Sequence, residues 1–266
     1  MSSPDPPVWG GPEPTPPPEP PQPPPTGVPL LDIAHPYGII TTTLWTVFLF
    51  ASVVFATVPA ILGYKFTAPL LGRHPDFSNL VEDGDFFWIS SFISLLAAAV
   101  VLAAAMILRP RVPARQYFAL RPAALRHYLI FAGALSLYGV VTELVLRALH
   151  VDSMPAWMTA VAANTRYPAC FFLAIVVAAP LLEEFVFRGF VFTGFRWRTG
   201  AVGAVLASAI PWALLHVQYE WVYIPVAIGM GLIFGYAREK SGSLLVPLAL
   251  HALNNVAAFV QMMWPG

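Results

Sequence analysis

Residues 178–189 read Ala-Ala-Pro-Leu-Leu-Glu-Glu-Phe-Val-Phe-Arg-Gly, and they place three charged side chains inside one apolar run, Ala169 to Phe192. A run of this length and composition predicts a helix that crosses a lipid bilayer. A charge near the middle of such a helix costs roughly 2.5–3.5 kcal/mol on insertion scales, so it needs a partner or a water-filled cavity. The stretch therefore predicts a membrane protein with a polar cluster inside its apolar part.

The composition of the whole chain agrees with this prediction. Of the 266 residues, 58% are hydrophobic and only 11% are charged, which is unlike a water-soluble domain. Lys and Arg together number 14, as do Asp and Glu, so no basic surface indicates nucleic-acid binding. Cys170 is the only cysteine, which excludes an internal disulfide and a multi-cysteine metal site.

Seven apolar segments approach the roughly 20 residues that a helix needs to cross a bilayer. They predict an all-α, polytopic transmembrane helical bundle of about seven spans, with an eighth span as the alternative near Met154 to Ala163. The fifth and sixth segments are short and almost touch, and Pro211 lies within the fifth, so an irregular helix is expected there. The segments are Ile39 to Leu62, Phe86 to Leu108, Tyr128 to Leu146, Ala169 to Phe192, Ala201 to Val217, Tyr223 to Ala237 and Leu244 to Met263.

The N-terminal region has a different composition. Fourteen of the 28 prolines lie in the first 29 residues, and such a segment neither sustains a helix nor buries a core. We therefore predict a disordered Pro-rich tail at residues 1–36 and a transmembrane helical domain at residues 37–266.

Basic residues are distributed unevenly between the two sets of loops. With seven spans, the loops on the N-terminal side hold ten of them, whereas the opposite side holds Lys65, Arg73, Arg147 and Arg166. The positive-inside rule then predicts a multi-pass protein of the cell membrane, surrounded by lipid, with its N-terminus in the cytoplasm. The ten are Arg109, Arg111, Arg115, Arg121, Arg126, Arg188, Arg196, Arg198, Arg238 and Lys240.

Helical spacing separates the three charges of residues 178–189. Glu184 and Arg188 are four residues apart, in the order that favours an ion pair on one helix face. Glu183 points about 100° away around the helix and is left without this partner. An unpaired carboxyl group in a low-dielectric site is a candidate general base or acid, and the alternative is a hydrogen bond to a neighbouring helix that only fixes packing.

Two later apolar segments also carry polar side chains. His216 ends the fifth segment one turn after Trp212, where it is either a boundary residue or a catalytic one. His251 and Asn255 are four residues apart on one side of the seventh segment. They are suited to holding a carbonyl oxygen, a water or a metal, or they form an interhelical hydrogen-bond pair. Asn254 faces another direction and is given no role.

Two other patterns are interpreted as structural. Glu143 and Arg147 are four residues apart near the end of the third segment, which predicts an ion pair at the membrane boundary. Gly231 and Gly235 have the small-xxx-small spacing that lets helix backbones approach closely.

The polar residues of the fourth and seventh segments match two motifs of one protein family. The first motif, Glu-Glu-x-x-x-Arg, corresponds to Glu183, Glu184 and Arg188. The last, His-x-x-x-Asn, corresponds to His251 and Asn255.

A third motif of the same family, Phe-x-x-x-His, corresponds to Trp212 and His216, with Trp in place of Phe. The stretch Arg238-Glu-Lys-Ser-Gly-Ser-Leu also resembles the family's usual sequence before the last motif. With these motifs in order on successive apolar segments, residues 169–260 resemble the core of the CPBP family of intramembrane proteases. This family includes type II CAAX prenyl endopeptidases and bacteriocin-immunity proteins.

The resemblance implies that a glutamate-activated water hydrolyses a peptide bond within the membrane. Glu183 would be the general base, His216 would help to hold the water, and His251 with Asn255 would stabilise the oxyanion. A polar cavity open to the cytoplasm would supply the water. The substrate would be a peptide or protein, and its prenylation is left open.

The resemblance also implies supporting residues, namely Glu184, Arg188 and Trp212. No metal or other cofactor is expected. The alternative is a zinc ion held by Glu183, His216 and His251, each from a different helix.

Two other functions remain open from the sequence. A non-catalytic member of the family would act as a membrane scaffold or a peptide-toxin immunity protein, and a proton-coupled transporter would also place Glu and His within the membrane. The simple span count presents one difficulty for catalysis, because Glu183 lies near mid-membrane and His216 at the far end of its span.

Overall fold

The computed structural model describes residues 37–74, 76–109, 112–216 and 218–264. These residues form helices and no β-strand, which confirms the all-α prediction, while the predicted tail, residues 1–36, lies outside them. The α-helices are α1 (Ile39–Thr67), α2 (Gly84–Ile107), α3 (Ala114–Tyr117), α4 (Leu125–Ala148), α5 (Ala156–Ala163), α6 (Pro168–Leu173), α7 (Ala179–Glu184), α8 (Phe192–Leu214), α9 (Ile224–Ser241) and α10 (Leu245–Met263). Short 3₁₀ turns lie at Pro69–Leu71, Leu80–Glu82 and Trp221–Tyr223, and π-helical turns at Ala174–Ala178 and Phe185–Val191.

Six helical runs in the described part of the chain are long and apolar enough to cross a bilayer. Their outward faces carry large apolar side chains, such as Phe55 with 74% of its surface exposed and Leu137 with 66%. Large apolar side chains along the outward faces of helices this long are typical of contact with lipid. The chain is therefore a multi-pass membrane protein.

The fourth of these runs, Pro168–Leu214, contains two of the seven predicted segments. Gly200 interrupts it with φ 71° and ψ −171°, a backbone conformation that is essentially restricted to glycine. The run thus consists of two arms, residues 168–199 and 201–214, which correspond to the predicted fourth and fifth segments. The eighth span considered near Met154 to Ala163 is the eight-residue helix α5, which is too short to cross.

The second arm packs against α9 through small residues. A Cβ atom added to Gly231 would lie 3.1 Å from the Cβ of Ala209, and one added to Gly235 would lie 3.1 Å from Cγ1 of Val205. The predicted close packing at this glycine pair is confirmed.

A still closer contact joins α1 to α8. A Cβ atom on Gly194 would lie 2.0 Å from Oγ1 of the buried Thr42. We expect Gly194→Ala to lower the free energy of unfolding by about 1–3 kcal/mol, because the helices would have to separate. Thermal denaturation in detergent measures this, with Gly133→Ala as the control, since nothing lies within 4 Å of that position. Equal melting of the two variants would contradict the expected clash.

A polar cluster ties α1 and α2 to the helix that carries the two glutamates. It lies at the end of the bundle opposite the start of α1, called the far end below. Arg73 lies 3.4 Å from Oδ2 of Asp83 and 3.3 Å from Oδ2 of Asp85, and Tyr64 donates to Asp83. Asp85 also accepts from the backbone N–H of Arg166 at 2.9 Å. These bonds fix where the chain enters α6.

Candidate active site

Glu184 and Arg188 form the predicted ion pair, in which Nη1 of Arg188 lies 3.0 Å from Oε1 of Glu184 and neither side chain is exposed. Nη2 of Arg188 donates to the carbonyl of Gly231 at 3.1 Å. His251 of α10 donates from Nδ1 to the same Oε1 of Glu184 at 2.9 Å. The pair therefore neutralises its charge internally and anchors the imidazole of His251.

Glu183 faces differently, as the helical spacing predicted. Its side chain is 21% exposed, and Oε2 lies 3.8 Å from Nε2 of His251. The same oxygen accepts a short hydrogen bond from the indole Nε1–H of Trp212. Trp212 is itself buried, and its ring lies 4.7 Å from the guanidinium of Arg188. Trp212 thus has a donor role that the Phe of the family motif cannot have.

His216 lies beside Trp212, with ring centroids 4.9 Å apart. Its Nδ1 is 3.0 Å from the carbonyl of Trp212. Because a carbonyl can only accept, Nδ1 carries a hydrogen, and Nε2 is left for other contacts.

The interruption of the helix at Gly200 helps to explain how His216 comes to line the same cavity as Glu183. At 1.5 Å per residue, residues 201–214 extend about 21 Å, which is less than the bilayer core of about 30 Å. The second arm is therefore shorter than a full span and ends at Leu214. The break expected at Pro211 is not found, because the helix continues through that residue. The interruption lies instead at Gly200, just before the fifth segment.

The four predicted catalytic residues, Glu183, His216, His251 and Asn255, line one cavity of about 360 Å³. Glu184 and Arg188 do not line it, and lie behind Glu183. Most of the remaining wall is apolar, with side chains from α2, α4, α5, α9 and α10. The predicted site residues are thus separated into a group at the cavity and a supporting pair behind it.

The cavity extends toward the far end, where Glu143, Ser153 and Gln218 line it. Arg147 pairs with Glu143, which confirms the ion pair predicted there. A cytoplasmic N-terminus places the far end outside the cytoplasm. The cytoplasmic N-terminus and the cavity open to the cytoplasm both stay predictions.

Three residues that line the cavity were not predicted as site residues from the sequence. Asn254 lines it and donates to Oδ1 of Asn255 at 3.3 Å, contrary to the expectation that it faces elsewhere. Tyr219 also lines the cavity, and the centroids of its ring and the His216 ring are 5.2 Å apart. Burial and the charge of Glu183 both raise the pKa of Tyr219, so its hydroxyl remains a donor at neutral pH. Glu143, the third, was interpreted only as an ion-pair residue.

The alternative zinc site would need Glu183, His216 and His251 to come close together. Among the described residues, no three His, Cys, Asp or Glu side chains are grouped so that they could hold a metal ion. Nδ1 of His251 is bonded to Glu184 and Nδ1 of His216 to the carbonyl of Trp212. Such bonds also occur in histidines that bind zinc through Nε2, so they do not decide between the two alternatives. Independence of a metal stays a prediction.

Fold and site together define a helical membrane protein with a carboxylate, two imidazoles and a carboxamide around an internal cavity. Residues 165–257 match the family model described as Type II CAAX prenyl endopeptidase Rce1-like. The resemblance predicted from the motifs is confirmed over this region.

Two curated relatives are similar to parts of the chain. A protein of Escherichia coli described as "Uncharacterized 24.3 kDa protein" is 34% identical over 125 residues, which are 45% of this chain and 57% of that protein. The "Membrane-embedded CAAX protease MroQ" of Staphylococcus aureus (strain USA300) is 36% identical over 91 residues, 32% of this chain and 35% of that protein. The chain thus spans between about a third and three fifths of these relatives. No solved structure matches it.

Proposed function

We propose that this chain is an intramembrane endopeptidase in which Glu183 activates the water that hydrolyses a peptide bond. One observation carries the proposal: Glu183 is a partly exposed carboxylate in a cavity that His216, His251 and Asn255 also line. The family model and the printed description of the Staphylococcus relative support a peptidase.

The proposed reaction begins with a water held between Glu183 and His216. Glu183 takes one proton of this water while the oxygen attacks the carbonyl carbon of the peptide. Nε2 of His251, 3.8 Å from Glu183, donates to the oxyanion when the imidazole carries both protons. The C–N bond then breaks, and the proton held by Glu183 passes to the leaving nitrogen.

The supporting residues have separate tasks in this scheme. Glu184 holds Nδ1 of His251, so that Nε2 is directed away from the buried pair. Arg188 compensates the charge of Glu184, and the indole N–H of Trp212 fixes one oxygen of Glu183. The other oxygen of Glu183 is then free to contact the water.

The proposed setting is the cell membrane, with the N-terminus in the cytoplasm. A peptide or protein is the proposed substrate, and CAAX-type processing of a prenylated chain is the first form to test, given the descriptions of the family model and of the relative.

The test is cleavage of two fluorogenic peptides, one a prenylated CAAX peptide and one unmodified, by protein purified in detergent. We expect cleavage by the wild type and its loss in Glu183→Ala, His216→Ala and His251→Ala. If all three variants still cleave the peptides, the site assignment is wrong. An inactive wild type that still protects cells from a peptide toxin would support the immunity function, and uptake that depends on a proton gradient would support a transporter.

A strong chelator in the same assay tests the metal prediction. We expect cleavage to be unchanged, because Glu183 supplies the base and no three protein ligands are grouped in the described residues. Loss of cleavage that returns with added zinc would contradict this prediction.

A further inference from the structure

The helix that carries Glu183 lacks one backbone donor just before the glutamates. The π-helical turn Ala174–Ala178 ends with the N–H of Ala179 bonded to the carbonyl of Ala174. By the same i to i+5 pattern, the carbonyl of Ile175 needs the N–H of residue 180. That residue is Pro180, which has none. The carbonyl of Ile175 is therefore left without a backbone partner in a part of the protein where water cannot replace one.

Asn255 supplies the missing donor. Its Nδ2 donates to the carbonyl of Ile175 at 2.9 Å. One turn earlier on the same face of α10, His251 bonds Glu184. Helix α10 therefore holds the glutamate helix at two points, one on each side of Pro180, and Glu183 lies between them.

This bond also fixes the orientation of the Asn255 amide. The carbonyl of Ile175 can only accept, so the Nδ2 side must face it, and Oδ1 accepts from Asn254 at 3.3 Å. One of the two amide hydrogens is thereby used, and the oxygen that faces Asn254 is an acceptor.

We propose that Asn255 is a positioning residue, which completes the backbone hydrogen bonding at Pro180 and so sets the direction of Glu183. This role is separate from the oxyanion contact that the resemblance implies, for which the second Nδ2 hydrogen remains. The inference rests on the proposed function for its effect on catalysis, but the hydrogen bond itself also contributes to stability.

The test uses Pro180 as the partner position. Asn255→Ala leaves the carbonyl of Ile175 unbonded, so we expect kcat to fall at least about tenfold at unchanged KM, and the melting temperature to fall by about 2–8 °C. Pro180→Ala restores an N–H at residue 180. In the double variant Pro180→Ala with Asn255→Ala, we expect kcat and melting temperature to return close to those of Pro180→Ala alone.

The matched control is Pro59→Ala, which removes another proline from inside a helix, α1, and is expected not to rescue Asn255→Ala. A double variant at positions 180 and 255 that is as impaired as Asn255→Ala would overturn the proposal and assign Asn255 to the oxyanion. If Asn255→Ala does not fold, folding of that double variant supports the proposal and its failure overturns it. If the wild type cleaves no peptide, the proposed function fails, while the melting temperatures still decide whether Asn255 replaces the donor that Pro180 lacks.

Discussion

Glu183→Gln is expected to reduce peptide cleavage by about 10²–10⁴-fold while leaving the fold intact. The amide keeps the size of the side chain but cannot take a proton from water. It can still accept from the indole of Trp212 through its oxygen, so the surrounding contacts survive. Single-turnover cleavage in detergent measures the loss, and thermal denaturation verifies the fold.

Glu82→Gln is the matched control for this prediction. It makes the same chemical change outside the Glu183 cavity, where Glu82 accepts a hydrogen bond from Asn79, and we expect it to leave cleavage unchanged. A Glu183→Gln variant with cleavage within a few-fold of wild type would show that another group is the base.

Arg188→Met is expected to destabilise the protein by about 3–5 kcal/mol, because it leaves the carboxylate of Glu184 buried without its cation. Neither side chain of this pair is exposed, so water cannot solvate the remaining charge. The measurement is thermal denaturation in detergent, and we expect a large fall in melting temperature or a failure to fold.

Two variants make this second prediction specific. Arg147→Met breaks an ion pair whose arginine is 73% exposed, and we expect it to cost no more than about 1 kcal/mol. Adding Glu184→Gln to Arg188→Met removes the buried charge and should recover part of the stability. If Arg188→Met and Arg147→Met melt alike, the buried pair does not stabilise the fold as argued.

The sequence predicted those features that depend on regular helical spacing. The i to i+4 spacing of Glu184 and Arg188 was enough to predict their ion pair, and the offset of Glu183 was enough to separate it from that pair. The spacing of Gly231 and Gly235 predicted a close helix contact for the same reason. Each is a consequence of 3.6 residues per turn, which holds locally whatever the rest of the chain does.

The sequence did not predict features that depend on departures from that spacing. The π-helical turns on both sides of Glu183 and Glu184 have no marker in a simple hydropathy pattern. The depth of His216 could not be assigned because it depends on the backbone angle at Gly200 and on the short arm that follows. The signal for the donor role of Trp212 was present, since Trp replaces the Phe of the motif, but only tertiary structure places its N–H at Glu183.

The cavity is lined by residues from two different parts of the sequence. Glu183, His216, His251 and Asn255 lie within residues 165–257, whereas much of the opposite wall, including Phe87, Leu135, Tyr138 and Trp157, lies before them. Mutations in α2, α4 and α5 can therefore reshape what the cavity accepts without altering the groups that would act on it.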